Sequence, residues 1–247
     1  MFLSLVMACA TSKKGTNTIN NLQDAKVRTT LDKVFQAMGG LQNWQDLQSL
    51  QFKKKTILYL ASGEVEKVSD QIHIYENKPN QSVQIRWQED QDQHLIEMEG
   101  ETVVKKVNQK IDNQANLTSL KNTVLASTFV IGVPFKLMDE GVSLSYDGIQ
   151  TLQNGKEVHT VKATYNPTQH SNHSKADIWW HYFDKDSYEQ VGYQVTLHDH
   201  TSYIENLTFE RVGGFLFTTS RNSWRVNEQG EKTYIKAAYE YSDFIIN

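Results

Sequence analysis

The spacing of apolar residues changes period along this chain, and each change predicts a different element. In "LQDAKVRTTLDKVFQAMGG" (22–40), Val27, Leu31, Val34, Phe35 and Met38 recur at spacings of 4, 3, 1 and 3. That is one stripe of an amphipathic helix, and Gly39-Gly40 is the signal that ends it. From residue 50 onward the period falls to two, the mark of strands. Ile72 and Ile74 alternate with His73 and Tyr75, and Val83, Ile85 and Trp87 alternate with Gln84, Arg86 and Gln88. A turn cluster, Glu76–Asn80, separates the two runs. "HLIEME" and "TVVKKV" add strands linked through Glu99-Gly100-Glu101.

A second helical stretch, "NLTSLKNTVLASTFVIG", interrupts the sheet. Asn116 is placed to cap it. Leu117, Leu120, Val124, Leu125 and Phe129 form its apolar face, and Pro134 stops it. Its far end, "FVIGVPFKLM", is apolar nearly all round and has to be buried against sheet. Alternation resumes at Val142, Leu144 and Tyr146, and Asn154-Gly155 predicts a hairpin. Segments 176–197, 202–226 and 232–246 supply further strands, with turns at Gly213-Gly214 and Gln229-Gly230. The longest polar loop is 166–175. The expected fold is α+β, mainly β, in one domain over 22–247. It is a single curved antiparallel sheet, or incomplete barrel, of about ten strands with an N-terminal helix and an inserted helix on its concave face.

Composition changes this picture little. The chain is 38% hydrophobic and 22% charged, with three prolines and a net charge of −4. Beyond Lys53-Lys54-Lys55 there is no basic stripe, so no nucleic-acid partner is expected. No motif of a hydrolase, zinc protease, dinucleotide fold or phosphate-binding loop is present. The expectation is a non-catalytic monomer with no cofactor. The single cysteine, Cys9, excludes an internal disulfide and a multi-thiolate zinc site.

Cys9 follows an apolar run of seven, Phe2 to Ala8, and precedes the polar stretch "ATSKKGTNTINN". The run is too short to span a bilayer and has the length of a secretory apolar region. Leu5-Val6-Met7-Ala8-Cys9 resembles the lipobox of bacterial lipoproteins. The resemblance implies a signal peptide over 1–8, acylation of Cys9 and a flexible tether over 9–21. It implies a bacterial envelope location, anchored by lipid in the outer membrane and facing the periplasm, since two or more acyl chains anchor stably.

Beyond the tether, four features together are similar to the LolA-like lipoprotein carriers and receptors. They are the helix before the sheet, Lys78-Pro79 before an aromatic-bearing strand, "Trp180-His181-Tyr182-Phe183-Asp184" before "Val191-Gly192-Tyr193", and "Phe215-Leu216-Phe217-Thr218". The resemblance covers about residues 23–246. It implies a half-barrel wrapped around helices, with a hydrophobic ligand in the concave cleft. Trp87, Trp180, Tyr182, Tyr193, Leu207 and Phe209 are the candidates for that face.

Two other readings stand beside it. One is an envelope interaction protein with a filled core. The other is a metal-binding protein or hydrolase using His170, His173, His198 and His200, since His198-Asp199-His200 on a strand would put two imidazoles on one face.

Overall fold

A computed structural model describes residues 19–169, 173 and 177–247. The signal run, Cys9 and the tether as far as residue 18 lie outside the described residues, as does His170. Helix α1 (Ala25–Met38) starts where Asp24 accepts hydrogen bonds from the amides of Lys26 and Val27. Its stripe Val27, Leu31, Val34, Phe35 and Met38 is fully buried. It ends at Gly39, whose φ of 122° suits glycine. A side chain there would also strike Phe215. A short helix α2 (Leu41–Asp46) leads into the sheet.

All thirteen strands among the described residues belong to one open antiparallel sheet, three more than the alternation suggested. Strands β1 (Ser49–Tyr59), β2 (Val65–Glu76), β3 (Ser82–Glu89), β4 (Asp92–Glu99), β5 (Thr102–Val107) and β6 (Lys110–Ile111) run outward to one edge. Helix α3 (Leu117–Gly132) and the turn Phe135–Met138 then carry the chain to the opposite edge. Strands β7 (Val142–Thr151), β8 (Glu157–Tyr165), β9 (Ile178–Asp184), β10 (Gln190–Thr196), β11 (Thr201–Val212), β12 (Phe215–Val226) and β13 (Lys232–Ile246) return to the centre. There β13 pairs antiparallel with β1.

A flat sheet of thirteen strands would be about 58 Å wide at roughly 4.8 Å per strand. Helix α3 is about 24 Å long at 1.5 Å per residue. It packs on β4 and β5, yet within a few residues of its end the chain touches β7 at the other edge. The sheet is therefore strongly curled, and α1, α3 and the 135–138 turn lie inside the curl. One continuous core joins them to both halves of the sheet. Phe135 is its hub, stacked on Trp44 at 4.9 Å and on Phe35 at 5.7 Å.

The strand registers assign the faces. Phe52, His73, Ile85 and Ile96 stand in one row across β1–β4 and point inward. Ile204, Tyr193, His181, Val161 and Tyr146 form the corresponding row across β11–β7. A second, smaller cluster covers the outer face of β8–β12: Val158, Tyr182 and Tyr203, flanked by Trp180 and Trp224. Among the described residues no helix is long and apolar enough to cross a membrane.

Candidate ligand-binding face

The structure divides the six residues expected on the concave face. Trp87, Tyr193 and Phe209 pack with the inner core. Trp180 and Tyr182 do not: they point to the outer face and belong to the second cluster. Their neighbours Trp179, His181 and Phe183 turn inward instead and are buried. The two alternating sets are equally aromatic, so period two locates the strand without saying which set faces in. Leu207 is 48% exposed. It sits in a bulge where the β11–β12 register slips between Asn206 and Thr208, and the extra residue is turned out. On β2 the inward pair is likewise His73 and Tyr75, while Ile72 is exposed.

The histidine arrangement is corrected too. Strand β10 stops at Thr196 and β11 starts at Thr201, so His198 and His200 lie in the intervening turn, not on one strand face. His200 Nδ1 is 2.6 Å from Asp199. His173 is buried in the core, stacked on Tyr165 at 3.8 Å and 3.6 Å from Asp177. Among the described residues no group of three metal-ligating side chains converges.

Two buried histidines hold the inner face together. His73 stacks on Phe52 at 5.0 Å, and its Nδ1 meets the Tyr75 hydroxyl at 3.1 Å. Tyr75 donates to Ser127 Oγ, and Ser127 donates to the Val124 carbonyl inside α3. This relay ties the inserted helix to β2. Burial, with a contribution from the Lys54 charge, pushes His73 down to about 3. Burial, with His173 nearby, does the same to His181. Both rings are neutral at pH 7.

Beside His73 the inner face turns from apolar to cationic, a feature that alternation did not reveal. Lys54 and Arg221 share the Tyr239 ring, Lys54 Nζ at 5.2 Å and the Arg221 guanidinium carbon at 4.9 Å. Arg221 also lies 4.9 Å from the Tyr241 ring and donates to the Tyr241 hydroxyl. Only 7% of Arg221 is exposed, and its buried Nε has no hydrogen-bond partner among the described residues. Burial and the Arg221 charge push Lys54 down to about 8. The signal in the sequence was a lysine at an inward position of β1, two residues after Phe52.

A groove of about 830 Å³ over β1–β5 is lined from both faces of the sheet, the inward phase contributing Lys54, Gln71, Trp87 and His94. Lys53, Ile72, Arg86, Leu95 and Lys106 stand in one row across it. Its cations are partly neutralised, Lys53 by Asp243 and Lys106 by Glu97.

No protein-family model matches the chain, and no curated protein matches its sequence. Solved structures do resemble it. A LolA superfamily protein from Nitrosomonas europaea aligns at 9% identity and a TM-score of 0.56, over 89% of this chain and 93% of that one. A domain assigned to outer membrane lipoprotein sorting from Vibrio parahaemolyticus aligns at 8% identity and 0.55, over 88% and 91%. A DUF1329 family protein from Desulfovibrio piger aligns at 10% and 0.52, over 90% and 93%. At such identities the likeness defines the fold alone: this chain has the LolA-like half-barrel architecture.

Proposed function

We propose that this chain is a non-catalytic protein of the bacterial envelope, anchored through an acylated Cys9 in the outer membrane and facing the periplasm. It binds acyl chains of a lipid or lipoprotein on the inner face of its half-barrel. The observation that carries this reading is helix α3. It lies across the inner face and its far end, from Phe129, is apolar nearly all round, yet the helix fully buries only Val124, Phe129 and Gly132. Leu117 is 54% exposed, and Leu120, Leu125, Val130 and Ile131 are only half-buried. A helix more apolar than its own packing requires has apolar surface left for a ligand. The solved neighbour assigned to lipoprotein sorting supports the same reading.

The test is native mass spectrometry of the full chain carrying Cys9→Ser, purified from a bacterial host. The expected result is a bound mass of lipid size, released on denaturation and extractable into organic solvent. A ligand-free protein that takes up no oleate would reject the reading. A protein with a filled core that binds a partner by its surface would then be favoured, on the continuity of the core through α1, Phe135 and both sheet halves. Anchoring is tested by fractionation: the unaltered chain enters the outer-membrane fraction, and Cys9→Ser releases it.

A further inference from the structure

We propose that Lys54 and Arg221 form an oxyanion site on the inner face, taking the carboxylate or phosphate head of an amphiphile whose chain lies against α3. This rests on the acyl-binding reading and adds the chemistry of the head group.

The argument is one of uncompensated charge. Two cations share one tyrosine ring, Arg221 buried and Lys54 half-buried where it lines the groove, and burying a charge such as that of Arg221 is costly unless an opposite charge is near. The inward neighbours of Lys54 are Gln71 on β2 and Tyr241 on β13. Those of Arg221 are Tyr239 on β13 and Asn206 on β11. None carries a negative charge at neutral pH. The carboxylates on β13 lie on the other face, where Glu240 is 3.9 Å from Lys55 and Asp243 is 2.7 Å from Lys53. Glu205 on β11 pairs with Lys232 at 3.1 Å.

Asn206, beside Arg221, has a buried Oδ1 without a partner among the described residues, but an amide is neutral and leaves both positive charges standing. The Tyr239 and Tyr241 rings ease the cost through their π faces without cancelling it. What is missing is an anion, and the pair has the right donors for one. A guanidinium offers a planar fork to a carboxylate or phosphate, and an ammonium adds a second, rotatable donor. Arg221 uses one donor on Tyr241, and its Nε is free among the described residues. The site adjoins the tail-binding surface through His73 and Tyr75, which lead to Ser127 on α3.

The experiment is calorimetric titration of the full chain carrying Cys9→Ser with three probes: oleate, oleyl alcohol and inorganic phosphate. Oleyl alcohol has the chain without the charge, and phosphate has the charge without the chain. The expected result is that oleate binds about tenfold or more tightly than oleyl alcohol, the scale of a charge-assisted hydrogen bond. The preference should collapse in Lys54→Met and in Arg221→Met, with alcohol affinity kept. Arg221→Lys serves if Arg221→Met does not fold, and should retain part of the preference.

Equal binding of oleate and oleyl alcohol would overturn the site and leave the acyl-binding reading standing. Binding of phosphate alone, lost in Lys54→Met, would uphold the site and overturn the acyl chain. No binding of any probe would overturn both.

Discussion

Lys54 shows how one side chain can trade stability for a site. Its ammonium is held down to about 8 by burial and by Arg221, so folding works against its charge at neutral pH. Between pH 8 and 10.5 the unfolded chain keeps a proton that the folded protein has released. Unfolding free energy therefore rises with pH across that window, by about 1–3 kcal/mol from this group. Lys54→Met should be more stable than the parent at pH 7, and the difference should shrink toward pH 10.5. Urea melts of both proteins at several pH values measure it. A parent already as stable as Lys54→Met at pH 7 would show that the charge is compensated.

Among the elements, β10 and β11 meet at a point where no side chain fits. Gly192 packs so close to the Ile204 carbonyl that an added Cβ would collide with it, although its φ is outside the left-handed range. The register on the β9 side slips between Gln190 and Gly192, a bulge in β10 beside the same glycine. Gly192→Val should cost about 2–4 kcal/mol, because backbone rather than a flexible side chain must give way. Thermal melting measures the loss, and hydrogen exchange should show it centred on β10 and β11. At the other crossing, Asn116 caps α3 by accepting from the Ser119 amide, as its place before the apolar run predicted.

For the whole molecule, the pairing of β1 with β13 is decisive. Among the described residues it is the only link in the sheet between strands distant in sequence, and it joins two meanders that otherwise share no ladder there. Truncation before Lys232 removes β13 from between β1 and β12 and should abolish the cooperative transition, as read by circular dichroism and urea melting. Acid should act on the whole fold through its buried histidines. His73 and His181 stay neutral down to about 3, whereas the unfolded chain protonates near 6.5. The unfolded state binds more protons between those values, so stability falls as pH drops from 6.5 toward 3. Histidine resonances should show both rings still neutral at pH 4.5 in the folded protein. A normal titration near 6.5 for either ring would remove its share of the acid loss.

Local pattern was sufficient for much of this protein. The stripe of α1, the stop at Gly39, the Asn116 cap and most strands and turns depend on near neighbours, and period and turn chemistry report near neighbours directly. The curled sheet with an inserted helix was also legible, because a second apolar helix between two runs of strands has to be covered by them. Which face of each strand turns inward was not. "Ile178-Trp179-Trp180-His181-Tyr182-Phe183" is apolar in both phases, so only the partner strands and the helices inside the curl decided that Trp179 and His181 go in and Trp180 and Tyr182 go out. The meeting of Lys54 and Arg221 was further still from view. They stand 167 positions apart in the chain, and the β1–β13–β12 ladder that brings them over one tyrosine ring exists only once the last strand has closed onto the first.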